Sequence, residues 1–248
     1  MKKLFVLIAA ACMTCTAAFA QTVKPFKEGE RAVFLGNSIT DGGHYHSYIW
    51  LYYMTRFPDM PIRVFNGGIG GDTAYDMNKR LDGDIFAMKP SVLMVTFGMN
   101  DSVYFEYNGD KPKEFGEQKY QESIKNYQQM EKRFKDLPDT RIVMVGTSPY
   151  DETVQLKENT PFKTKNETIK RLVEYQQESA AKNNWEFTDL NAPMTAINQQ
   201  YQQKDPTFTL CGSDRIHPDN DGHMVMAYLF LKAQGFVGKE VADMEINA

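Results

Sequence analysis

Five short apolar runs, each closed by small or polar residues and separated by helix-length stretches, constrain this chain more than any other feature. Residues 32–35 (AVFL) stop at Gly36, 62–65 (IRVF) at Asn66-Gly67-Gly68, and 91–97 (SVLMVTF) at Gly98. Residues 141–146 (RIVMVG) and 185–188 (WEFT) follow. Between them lie segments long enough for helices. Residues 46–57 crowd apolar side chains on one side, and Thr73 is placed to cap a helix running toward Met88. Residues 118–135, 165–182 and 221–233 read as three more helices. Strands alternating with helices of this length predict βαβ units, hence a parallel sheet covered on both faces. The fold class expected is α/β, a three-layer α/β/α sandwich around a central parallel sheet.

In such sheets ligands bind at the carboxyl ends of the strands. Polar and glycine-rich groups should therefore stand just after the apolar runs. They do, at Gly36-Asn37-Ser38, Gly70-Gly71-Asp72, Gly98-Met99-Asn100-Asp101 and Thr147-Ser148-Pro149.

Composition narrows the function classes. The chain has 248 residues, 42% of them apolar and 24% charged, as in ordinary globular proteins. Lys and Arg number 28 against 32 Asp and Glu, with no basic cluster, so nucleic acid is excluded as an expected partner. Residues 1–20 read as a signal peptide: Lys2 and Lys3, a short apolar stretch from Leu4 to Ala11, then Ala18-Phe19-Ala20 before Gln21. The domain then occupies 21–248, and export to the periplasm or the exterior is expected. Without Lys2 and Lys3 the formal charge of −4 becomes −6. Ala9 stands where a lipoprotein signal wants a Leu-like residue, so the residues support lipidation of Cys12 only weakly, and cleavage after Ala20 and lipidation both stay open. No stretch reaches the roughly 18 apolar residues of a membrane span. Cys211 is the one cysteine beyond the leader, so no intramolecular disulfide is expected.

Three groups carry candidate chemistry. Ser38 follows a buried strand and precedes a helix; its commoner role would be a cap or a turn, and a nucleophilic one needs a base and an orienting acid. Asp214 and His217, in Ser213-Asp214-Arg215-Ile216-His217-Pro218, are spaced so that a carboxylate can reach Nδ1 and leave Nε2 for a hydroxyl. Gly71 offers an accessible backbone amide and Asn100 a side-chain amide, the donor types that bind an oxyanion.

Taken in order, these segments resemble the conserved blocks of the SGNH hydrolases, also called GDSL esterases and lipases. Gly36-Asn37-Ser38-Ile39-Thr40 is similar to the first block, with Asn37 where the family most often has Asp. Gly68-Ile69-Gly70-Gly71-Asp72-Thr73, Gly98-Met99-Asn100-Asp101 and Asp214-Arg215-Ile216-His217-Pro218 are similar to the other three. The resemblance covers residues 31–235. It implies a flavodoxin-like strand order and a Ser38, His217, Asp214 triad. It also implies an oxyanion hole from the Ser38 and Gly71 amides with the Asn100 side chain, and no metal or cofactor.

The function expected is an exported serine esterase removing small ester groups, foremost acetyl, from carbohydrate; the substrate is a small-molecule or glycan ester. The alternatives are a lysophospholipase or thioesterase type of acyl hydrolase, or a secreted glycan-binding protein without catalysis. A lipase-type apolar lid is not expected, because residues 102–116 are polar around Lys111-Pro112-Lys113-Glu114. Tyr104, Phe105 and Tyr107 are the candidate substrate-binding aromatics. Cys211 reads as a small buried hydrophobe. His44 and His46 read as solvent or cleft residues rather than metal ligands.

Overall fold

The computed structural model describes residues 22–238, so the proposed signal peptide lies outside the described residues. Five parallel strands, β1 (Arg31–Gly36), β2 (Arg63–Gly68), β3 (Val92–Val95), β4 (Arg141–Gly146) and β5 (Glu186–Asp189), form one sheet. Their order is β2-β1-β3-β4-β5, the doubly wound order that reverses direction between β1 and β3. Among the described residues seven α-helices accompany them: α1 (Ser38–Asp41), α2 (His44–Arg56), α3 (Ala74–Arg80), α4 (Pro112–Lys135), α5 (Lys165–Asn183), α6 (Asn191–Gln202) and α7 (Asn220–Ala233). The expected α/β/α sandwich is the fold.

The inner strands β1, β3 and β4 are apolar because both faces are covered, whereas the edge strands β2 and β5 carry polar residues and are only partly buried. All four residues of β3 are buried. Alternate side chains serve opposite cores: Ala32, Phe34, Val92 and Met94 meet one, while Val33, Leu35, Leu93 and Val95 meet the other. Ile49 and Tyr53 of α2 and Phe230 of α7 close the first; Met77 of α3 and Met130 and Phe134 of α4 close the second.

Thr73 caps α3 in a capping box with Asp76. The expected run to Met88 is not one helix. After Arg80 it widens into a π turn (Leu81–Ile85) and tightens into a 3-10 turn (Phe86–Met88), which ends at Lys89 in the left-handed region. Helix α4 begins at Pro112, six residues before the predicted start, because proline is accepted in a first turn where its missing N–H is not needed. Helix α6 was not predicted at all.

Candidate active site

Helix α1 starts straight after β1, and its geometry presents Ser38. Asn37 is buried as the N-cap, its Oδ1 accepting the Ile39 amide at 3.1 Å. That fixes the turn and leaves Ser38 half-exposed at the rim of the sheet. Asn37 thus supplies the cap an Asp would otherwise supply.

Ser38 Oγ lies 2.8 Å from Nε2 of His217, and His217 Nδ1 lies 2.6 Å from Oδ2 of Asp214. With Nδ1–H donating to the carboxylate, Nε2 is left to accept the serine proton. Asp214 Oδ1 also accepts the backbone amides of Ile216 and His217, each at 2.9 Å. The Asp214 hydrogen bond raises the His217 pKa, with burial opposing it. Burial alone would raise the Asp214 carboxyl, but hydrogen bonds from the His217 ring and amide and from the Ile216 amide outweigh it and hold the group below the ordinary carboxylate range.

This turn is anchored from both sides. Gly212 is left-handed (φ 69°), and any Cβ there would fall 2.2 Å from the His217 carbonyl oxygen. Arg215 is also left-handed (φ 70°) and fully buried. Its guanidinium donates to the carbonyls of Asp151, Val154 and Asn159, and its own carbonyl accepts the Asp151 amide. The loop after β4 is thereby tied to the Asp214–His217 turn. Residue spacing gave no hint of this, because nothing local marks an arginine as buried.

The loop after β2 approaches Ser38 closely. A Cβ on Gly70 would sit 4.0 Å from that of Ser38, and Gly71 is left-handed (φ 85°) with open space where a side chain would be. Its amide is therefore approachable. Asp72 pairs with Arg80 at 2.6 Å, and Arg80 also donates to the carbonyls of Gly36 and Gly67, pinning this loop to the ends of β1 and β2.

Asn100, after β3, donates from Nδ2 to the Asp72 carbonyl at 3.0 Å and accepts at Oδ1 from the Tyr104 hydroxyl at 2.5 Å. Its neighbour Asp101 is buried and points away, accepting from the amides of Gly98 and Ala74 and from Ser123 Oγ. Burial pushes the Asp101 pKa up against those hydrogen bonds.

Two expectations, for Tyr107 and His46, need correction. Tyr107 is buried, its hydroxyl on Thr168 Oγ1 and its ring edge-on to Phe115, so it has no face for a substrate. Tyr104 is committed to Asn100, whereas Phe105 is 79% exposed beside Phe162. His46 is buried against the Thr40 carbonyl rather than open to solvent or a cleft. His44 is exposed and stacks on His223, which with Asp219 and Asp221 borders a cleft of about 400 Å³ next to Pro218. Cys211 is fully buried, donating to the Pro149 carbonyl, and burial raises its thiol pKa to about 12, so it is no nucleophile at neutral pH.

A hydroxyl hydrogen-bonded to an imidazole that is itself held by a carboxylate, at a sheet's switch point, is the arrangement of acyl-transferring serine hydrolases. The model of the GDSL-like Lipase/Acylhydrolase family matches residues 34–225, and the chain belongs to that family of ester-hydrolysing enzymes. An acetylxylan esterase of Geobacillus stearothermophilus is 28% identical over 225 residues, covering 84% of this chain and 95% of that enzyme. A solved structure of a gut microbial diltiazem-metabolizing enzyme shares 84% identity with a TM-score of 0.90. The match covers 91% of this chain and 51% of that one, so this chain spans about half the length of that protein. A catalytic serine-to-alanine mutant of a Geobacillus stearothermophilus acetylxylan esterase shares the fold, with a TM-score of 0.68 at 23% identity, covering 89% of this chain and 99% of that one.

Proposed function

We propose that this chain is a serine esterase removing acetyl groups, with Ser38 as nucleophile, His217 as general base and then acid, and Asp214 as the group that orients His217. The observation that carries the reading is the continuous hydrogen-bonded line from Ser38 Oγ through His217 to Asp214. Ser38 Oγ attacks the ester carbonyl carbon as its proton passes to His217 Nε2. The tetrahedral intermediate collapses by giving that proton to the departing alcohol oxygen, which leaves an acetyl-serine. Water, deprotonated by the same nitrogen, then releases acetate and restores Ser38. The oxyanion is held by the amides of Ser38 and Gly71 and by Nδ2 of Asn100.

The acetylxylan esterase relative supports an acetyl ester on carbohydrate, and the leader-like first twenty residues support export to meet such a substrate. Among the described residues no helix is long and apolar enough to cross a membrane. The diltiazem-metabolizing relative supports a small-molecule substrate beside carbohydrate. Hydrolysis of p-nitrophenyl acetate, butyrate and octanoate ranks the acyl groups; turnover of acetylated xylo-oligosaccharides and of diltiazem then compares a carbohydrate with a small-molecule substrate. Acetyl preference abolished by Ser38→Ala is expected. A preference for octanoate, or activity that survives Ser38→Ala, would overturn the reading.

A further inference from the structure

Asn100 carries two amide hydrogens and one carbonyl oxygen, and its surroundings distinguish the two ends. The Asp72 carbonyl takes a hydrogen from Nδ2, and the Tyr104 hydroxyl donates to Oδ1. If the carboxamide were turned over, its oxygen would face the Asp72 carbonyl, acceptor against acceptor. The two contacts together therefore decide which way the amide faces, and they leave the second Nδ2 hydrogen for an oxygen of the substrate.

Tyr104 is in turn held from below. Nζ of Lys165 lies 4.1 Å from the centre of its ring. Lys165, the first residue of α5, is fully buried and donates to the Met99 carbonyl at 2.7 Å, the Val103 carbonyl at 2.6 Å and Ser102 Oγ at 2.5 Å. The Ser102 hydroxyl spends its own hydrogen on the Met99 carbonyl. Burial pulls the Lys165 pKa well down, but these three acceptors each call for a hydrogen from Nζ, the full complement of an ammonium. No carboxylate pairs with this group within 4.0 Å among the described residues; its partners are the loop of residues 99–103 and the rings of Tyr104 and, at 5.7 Å, Tyr150. Taking a lysine out of water is costly, and here the return is a single fixed shape for the loop that bears Asn100.

We propose that Tyr104 and Lys165 are positioning residues for Asn100, a stack that aims its free amide hydrogen at the oxyanion. The proposal rests on the reading of Asn100 as an oxyanion donor. It moves Tyr104 from a substrate contact to a support of the reaction, acting through Asn100 alone.

A double-mutant cycle on the whole chain with p-nitrophenyl acetate separates these roles. Asn100→Ala is expected to lower kcat by about 10²- to 10³-fold. Tyr104→Phe, which deletes one hydroxyl and keeps the ring over Lys165, is expected to lower kcat by about tenfold with KM within twofold. In the Asn100→Ala background, Tyr104→Phe should have no further effect. An equal loss in both backgrounds, a loss confined to KM, or an unchanged kcat in the single Tyr104→Phe variant would overturn the proposal. Wild-type kcat in Asn100→Ala would instead overturn the oxyanion reading, and the proposal with it. Lys165→Met should lower kcat in the same Asn100-dependent way. An equal loss in both backgrounds would remove Lys165 from the proposal; if Lys165→Met fails to fold, Lys165→Arg is read in the same cycle.

Discussion

Asp214 grips His217 at two points: one carboxylate oxygen takes the ring Nδ1–H at 2.6 Å, and the other takes the backbone amide at 2.9 Å. The ring is thus fixed in both position and tautomer by one side chain three residues upstream. Asp214→Asn retains an oxygen for the backbone amide but turns an NH2 toward Nδ1, which favours the wrong tautomer. We expect kcat to fall by about 10⁴-fold. Circular dichroism and the melting temperature should stay near wild type. An active Asp214→Asn enzyme would remove the carboxylate from the mechanism.

The same pair predicts the pH profile. Only neutral His217 accepts the serine proton, so kcat/KM should rise with pH as the imidazolium is lost. The Asp214 hydrogen bond raises the His217 pKa, so this acid limb should lie above the ordinary histidine value of about 6.5. Residual activity of Asp214→Asn should show the limb displaced to lower pH. Rates on a slow, chemistry-limited ester between pH 5 and 9 check both; a limb below pH 6 in the wild type would contradict the assignment.

Arg215 gives a separate prediction about stability. Arg215→Gly suits the left-handed backbone better but deprives three carbonyls of their donors in a buried site. Stranded buried acceptors cost about 1–3 kcal/mol each, more than the relief at φ 70° returns. A net loss of about 3 kcal/mol should lower Tm by roughly 6–12 °C in a domain of this size. Calorimetry of the variant decides; a Tm at or above wild type would show that the guanidinium network contributes nothing.

His223 should make the fold acid-sensitive. Its ring is buried between His44 and Tyr45, Nδ1 finds no hydrogen-bond partner among the described residues, and burial lowers its pKa to about 4. Unfolded, the same ring takes its proton near pH 6.5, so between roughly pH 6.5 and 4 the unfolded state binds the extra proton and stability falls with falling pH. His223→Phe removes both the titration and the orphaned nitrogen. The variant should gain stability over wild type, by an amount that grows as pH drops from 7 to 4.5. Urea titrations at those two pH values measure the gap. A gap independent of pH would mean that His223 is not held neutral in the folded protein.

Much of the fold was legible in the chain because its cause is local. An apolar run closed by glycine or asparagine reads as a buried parallel strand wherever it falls, and β4 came out at its predicted bounds. Helix α6 was illegible for an equally physical reason. Its buried face alternates Met194 with Asn191 and Asn198, amides that take partners from distant parts of the chain. Asn191 Nδ2 donates to Asn166, and Asn198 Oδ1 accepts the Leu210 amide. A search for apolar residues at helical spacing passes over such a face.

The site divides along the same line. Which residue types stand at the strand ends follows from the chain alone, since those positions follow from the strands. Which of them meet does not follow from it. Asp41 and His44 share the three-residue spacing of Asp214 and His217, yet His44 stacks on His223 while His217 reaches Ser38, 179 positions away. Tyr104 and Tyr107 lie on one short loop, yet one holds Asn100 and the other is sealed beneath it. Burial and hydrogen-bond partnership belong to pairs of groups, and groups far apart in the chain become pairs only when the sheet and its covering helices have closed around them.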